Sequence, residues 1–251
     1  MTDAVMPGGE PYFSAGGPQG VLLLHGFTGT TSTLLDLAQR CAAQGYTVSL
    51  PRLPGHGTSV EDMMSTGWKD WSGAAESSFD ELRATCERVA VLGLSMGGTL
   101  AAYLGESRRD VAALVFINPL LKHPGADIVE GVQAFLDADV TTFDSIGSDV
   151  KKEGVVETSY DATPLASVKS LFDALDDVND NLRRITAPSL LLTSTEDHVV
   201  TTDNGDELVN KSRGTVERFW LENSYHVATL DHDQEFIETT TLDFLAKHLG
   251  L

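Results

Sequence analysis

At 251 residues the chain is long enough for one large α/β domain or two small ones, and its 41% hydrophobic residues supply one substantial core. Its 37 acidic against 17 basic side chains, a formal charge of −20 at pH 7, argue against nucleic acid and anionic membrane surfaces, which need concentrated Lys and Arg. The acidity fits either a well-solvated surface or adaptation to high salt.

The opening stretch "MTDAVMPGGEPYFSAGG" has no basic n-region and no apolar run, so a secretory signal is not expected. No segment approaches the ~20 apolar residues of a membrane span. The first strong element is "GVLLLHG" (20–26), a continuous apolar strand ended by Gly26. From Thr33 to Gln44, Leu34, Leu37, Ala38 and Cys41 recur at helical spacing, and Gly45 supplies a stop. "YTVSLP" (46–51) is the next strand. A helical face then runs through Trp68, Trp71, Ala75, Phe79, Leu82 and Cys86. Cys41 and Cys86, both among apolar neighbours, read as core residues of a reducing compartment, and the expected location is cytoplasmic.

"RVAVLGL" (88–94) is a strand leading into Ser95, "GGTLAAYLGE" (97–106) is a helix, and "VAALVFIN" (111–118) is a further buried strand. The strand rhythm breaks from Pro119 to about Ile185. There the clearest helix has Thr163 as N-cap and Pro164 at its first position, with Leu165, Val168, Leu171, Phe172, Leu175 and Val178 on one side. That face is read as packing of the helix onto the core, with no acyl contact claimed for it. A weaker helix covers 128–138. Strands resume at "PSLLLTSTED" (188–197) and "TVERFWLENS" (215–224), and a last helix spans about 233–249. Strands alternating with helices predict an α/β fold, mainly a parallel sheet flanked by helices. The expected division is a core of 1–118 and 186–251 with an inserted cap at 119–185.

Gly93-Leu94-Ser95-Met96-Gly97 fits G-x-S-x-G, the turn that projects a serine between strand and helix. A hydroxyl needs an adjacent base to act as a nucleophile. In this architecture the order is serine, then acid, then histidine. Of seven histidines, His226 in "ENSYHVATL" follows the last strand directly, with His232 as its competitor further into the loop. Asp197 ends a late strand, with Glu196 as the alternative acid. Acyl transfer also needs donors for the developing oxyanion. The backbone N–H groups of Met96 and, in "HGFTG" (25–29), of Phe27 are expected to supply them.

Together "HGFTG", "LPRLPGHGTS", "GLSMGG", "STEDHVV" and "NSYHVATLD" resemble the small bacterial monoacylglycerol lipases of the α/β-hydrolase fold and their carboxylesterase relatives. The similarity runs from about Gly20 to the C-terminal helix, and "DSIGSD" (144–149) resembles the cap of those lipases. The resemblance implies Ser95, Asp197 and His226 as triad, Phe27 and Met96 as oxyanion-hole donors, and a mobile cap forming an acyl tunnel. It also implies Ile146 on the wall near the ester and Glu157 as receiver of glycerol hydroxyls. The alternative for Glu157 is a solvated loop carboxylate. The substrate implied is a monoacylglycerol, cleaved to glycerol and fatty acid; the alternative is a general short- to medium-chain carboxylesterase. A hydrolase-fold binding protein with little turnover is a third reading, disfavoured by the intact set of Ser95, Asp197, His226 and Gly26. No metal or organic cofactor is expected, because the histidines are scattered and H-E-x-x-H is absent. The partners expected are a small lipid ester and, transiently, lipid aggregates.

Overall fold

The computed structural model describes residues 4–250. The first three residues of the stretch expected not to be a secretory signal, and Leu251, lie outside the described residues. A short strand β1 (Tyr12–Ser14) precedes β2 (Gln19–Leu24). A 3₁₀ turn leads into α1 (Leu35–Ala43), which gives way at Gly45 (φ +95°) to β3 (Thr47–Leu50). Next come α2 (Val60–Met64), α3 (Trp68–Arg83), β4 (Arg88–Leu94), α4 (Met96–Ser107) and β5 (Val111–Ile117). The chain then leaves the sheet for α5 (Ala126–Asp137), β6 (Thr142–Asp144), β7 (Ala162–Pro164) and α6 (Leu165–Asn181). It returns through β8 (Ser189–Ser194), α7 (Asp203–Lys211), β9 (Val216–Leu221) and α8 (Gln234–Leu245).

The main sheet has seven strands in the order β1-β3-β2-β4-β5-β8-β9. Only β1 is antiparallel to its neighbour; every other pairing is parallel. Parallel central strands are covered on both faces, so they read as unbroken apolar runs rather than alternating ones. Alternation appears instead in which core each residue joins. Val89 and Val91 of β4 pack with Trp71 and Phe79 of α3 and Leu100 of α4 on one face. Ala90 and Leu92 pack with Leu37 of α1 and Ile237 of α8 on the other. The buried Trp71 indole also donates to Pro54 O at 3.1 Å, so its polar end is satisfied.

The inserted region lies between β5 and β8, where the strand rhythm breaks in the sequence. It contains two strands that the sequence pattern does not announce. β6 and β7 form a separate antiparallel ribbon, three residues each, too short to show a period. The ribbon also moves the start of α6. Thr163, expected as N-cap, pairs with Phe143 in β7, and Pro164 is itself the N-cap (φ −74°, ψ 118°). Strand runs straight into helix because the proline φ suits both conformations. Leu165, Leu171, Leu175 and Val178 of α6 are buried as expected. Cys86 falls beyond α3, buried in the turn before β4. Among the described residues no helix is long and apolar enough to cross a membrane.

Candidate active site

β4 ends at Leu94 and α4 begins at Met96, so Ser95 alone makes the turn, at φ 55° and ψ −119°. For a non-glycine residue such a conformation costs about 1–3 kcal/mol. Complete burial of one Leu or Phe contributes roughly 1.5–3 kcal/mol, so a few of the surrounding core residues offset it. The flanking glycines are steric requirements. A Cβ on Gly93 would stand 2.0 Å from Gly97 O, and one on Gly97 would stand 1.9 Å from Leu24 O. Gly98, outside the five-residue pattern, is needed as well, since its Cβ would meet Pro119 Cβ at 2.6 Å. The turn is therefore pressed against the end of β2 and the exit of β5. The N–H of Ser95 donates to Ile117 O at 3.0 Å.

His226 lies on the loop after β9, and its Nδ1 donates to Asp197 Oδ2 at 2.8 Å. A carboxylate only accepts, so the proton sits on Nδ1 and Nε2 is left as the basic nitrogen. Both side chains are shielded from solvent, His226 at 8% and Asp197 at 2% exposure. The other Asp197 oxygen accepts the N–H groups of Val199 and Val200 at 2.9 and 2.7 Å, which fixes the carboxylate. The two competitors lie outside this pair. Glu196 is exposed and pairs with Lys151, and His232 is exposed on the surface; His198, next to Asp197, pairs with Asp149.

Ser95 and His226 border one cavity of ≈ 320 Å³, together with Phe27, Met96, Ile146 and Glu157. That volume is at the small end of ordinary ligand pockets, about 300–1,000 Å³. Met96 opens α4, a helix of twelve residues whose N-terminus carries partial positive charge toward the serine turn. The Phe27 ring packs edge-on against His56 and Trp71 at 6.2 and 5.7 Å, which anchors the "HGFTG" turn beside Ser95. Thr28 in that turn has φ +59°. Ile146 is 75% exposed and so belongs to the rim of the cavity. Glu157 is tucked against the same turn, since a Cβ on Gly29 would meet its Oε1 at 2.6 Å. Burial raises the Glu157 carboxyl to about 7, against the opposing influence of His226.

Several residues at this site are not singled out in the sequence. Val168, Leu171 and Phe172 of α6 line the cavity, so part of a face expected to pack onto the core also borders the pocket; Leu171 does both. Asn118, at the end of "VAALVFIN", donates from Nδ2 to His226 O (2.8 Å) and Ser194 Oγ (2.9 Å), tying β5, β8 and the histidine loop together. A lone amide closing an apolar strand was the available signal. Asp231, inside "NSYHVATLD", accepts the N–H groups of Tyr225, Lys151 and Lys152. Asp149 accepts the N–H groups of His226 and His198 and the His198 ring Nδ1–H. Burial would raise its carboxyl, but these hydrogen bonds prevail and hold it below the usual range.

Comparison with known proteins agrees with the fold. The family described as Serine aminopeptidase, S33 (Hydrolase_4) matches residues 18–233. The thermostable monoacylglycerol lipase of Bacillus sp. (strain H-257) is 43% identical over 248 residues, covering 98% of either chain. A carboxylesterase of Bacillus subtilis (strain 168) is 28% identical over 95% of this chain and 96% of its own. A structure from work on the metagenome-derived lipolytic enzymes LipS and LipT superposes with a TM-score of 0.93 at 39% identity, covering 98% of this chain and 100% of that one. The family description names a peptidase, whereas these full-length relatives are lipolytic enzymes and an esterase.

Proposed function

We propose, for a chain that belongs to the Serine aminopeptidase, S33 family and is an α/β-hydrolase esterase or lipase, that its substrate is a monoacylglycerol, cleaved to glycerol and a free fatty acid. The observation that carries this reading is the mixed character of the one cavity beside Ser95. Its walls include the apolar side chains of Val168, Leu171 and Phe172, and also Glu157. A fatty chain suits the first group, and a small head bearing hydroxyls suits the second. Burial leaves the carboxyl of Glu157 able to donate as well as accept near neutral pH. The name and near-complete coverage of the Bacillus lipase support the same substrate.

In the proposed mechanism Ser95 Oγ attacks the ester carbonyl while His226 Nε2 takes its proton. Asp197 keeps His226 in the productive tautomer through the 2.8 Å hydrogen bond and stabilises the imidazolium that forms. The N–H groups of Phe27 and Met96 receive the oxyanion. His226 returns the proton to the departing glycerol oxygen, and water then cleaves the acyl-enzyme by the same route. The cap, residues 119–185 in this reading, roofs the acyl site. Its exposed Ile128, Phe135, Phe143, Ile146 and Val156 would make transient contact with lipid aggregates. A reducing, cytoplasmic setting is supported by two cysteines that are free and buried.

The test compares Glu157→Ala on a monoacylglycerol and on the methyl ester of the same fatty acid. The variant should lower kcat/KM for the monoacylglycerol by about tenfold or more, as expected when a site loses its partner for a substrate hydroxyl. Methyl ester hydrolysis should hardly change. Equal losses on both would mean that Glu157 supports the cap and does not read the head group.

A further inference from the structure

Asp149 belongs to the inserted region, yet its carboxylate is spent on the loops that carry the acid and the base. Oδ2 accepts the N–H of His226 at 3.0 Å and the N–H of His198 at 3.2 Å, and Oδ1 accepts from His198 Nδ1 at 2.8 Å. Its own carbonyl accepts the N–H of Val227 at 3.1 Å. Two residues on, the N–H groups of Lys151 and Lys152 reach back to the Asp231 carboxylate at 2.6 and 3.0 Å. Lys151 Nζ bridges to Glu196 and lies over the Tyr225 ring. The Asp149 side chain is only 11% exposed. One short segment, 149–152, is thus stitched to the residues on either side of both Asp197 and His226.

We infer that Asp149 is a positioning residue: it clamps the Asp197-His198 turn to the His226 loop, so that the seat of this cap segment sets the geometry of the base. The inference rests on the triad reading given above. Its physical basis is that His226 has two constraints. Asp197 orients the ring, and Asp149 fixes the main chain from which the ring hangs. Without the second, the bond between His226 and Asp197 loosens and Nε2 swings relative to Ser95. Misplacement by about an ångström can cost on the order of 100-fold in rate. Such a loss falls on the chemical step and leaves substrate binding nearly intact.

Three variants test this on a soluble short-chain ester. Asp149→Ala should lower kcat about 100-fold with KM within about twofold, and should weaken or broaden the downfield proton resonance of the His226–Asp197 hydrogen bond. Asp149→Asn retains one oxygen for the two main-chain N–H groups, and its amide can face a neutral His198. It should therefore recover kcat to within about fivefold of the parent, the worth of one ordinary hydrogen bond. Ser95→Ala should be inactive and keep the downfield resonance. If Asp149→Ala raises KM and leaves kcat alone, Asp149 touches substrate and the inference is wrong. It is equally overturned if Asp149→Ala keeps kcat within about threefold, well short of the loss expected from misplacement, or if Asp149→Asn is as impaired as Asp149→Ala. Active Ser95→Ala would overturn the triad reading itself, an outcome separable from the others.

Discussion

Ser95 carries a backbone conformation that only its neighbours make tenable. Gly93, Gly97 and Gly98 are each needed because a Cβ would collide with main chain or with Pro119, and two of the three belong to the sequence pattern that exposed the serine. Asp197 and His226 were legible because strand ends and loop order locate them, and the structure brings them to 2.8 Å. The roles of Asn118 and Asp149 were not legible, because their partners lie 108 and 77 residues away along the chain; a lone amide closing an apolar strand marks Asn118 without saying what it binds. No local pattern encodes that separation. If Ser95 and His226 work as one unit, Ser95→Ala and His226→Ala should each lower kcat by several orders of magnitude. The double variant should be little worse than either. Additive losses in a kinetic cycle would show independent roles, and an active His226→Ala beside an inactive His232→Ala would move the base to His232.

Elements with a clear apolar pattern, down to the four-residue β3, are legible in kind, whereas the three-residue strands and α7 are not. β4, the serine turn and α4 follow from an apolar run, glycines and a helix-forming run, and β4 matches residue for residue. β1, β6 and β7 have three residues each, and α7 carries Asn204 and Gly205 on its buried side, so neither shows a usable pattern. The sequence supports no acyl contact for the face of α6, because periodicity marks burial without saying whether protein or ligand covers it. The loop after β3 is pinned by two buried histidines. His25 Nε2 accepts the N–H of Leu53 at 3.1 Å while its Nδ1 donates to Gly26 O at 2.9 Å. His56 stacks edge-on against His25 at 5.1 Å. Burial lowers His25 to about 4, and burial with the charge of His25 lowers His56 to about 3. A lowered histidine value means the folded state resists protonation. The stability these two confer is complete above the ordinary value of 6.5 and is lost as pH falls toward 4 and 3. Imidazole NMR signals of His25 and His56 should stay neutral at pH 5, where His198, raised by its hydrogen bond to Asp149, is already charged. Titration of His25 near 6.5 would show that this loop is open to water.

The whole molecule combines a sheet that fixes the serine, acid and base with an inserted region that covers them. The sheet holds Ser95 against the ends of β2 and β5, and the insertion contributes Ile146, Glu157 and the α6 wall to one cavity. That division explains why the chemistry was legible from sequence while the acyl wall was not: the first lives at strand ends, the second in tertiary packing. In the proposed reading, a cavity of ≈ 320 Å³ takes one chain and a small polar head, and a triacylglycerol must leave two further chains outside it. The most direct measurement is therefore kcat/KM of the unmodified protein on a monoacylglycerol and a triacylglycerol bearing the same acyl chain, presented in matched emulsions. The monoacylglycerol should be preferred by about tenfold or more, a difference of roughly 1.4 kcal/mol in transition-state binding. Equal values on the two substrates would contradict the proposal that this is a monoacylglycerol hydrolase.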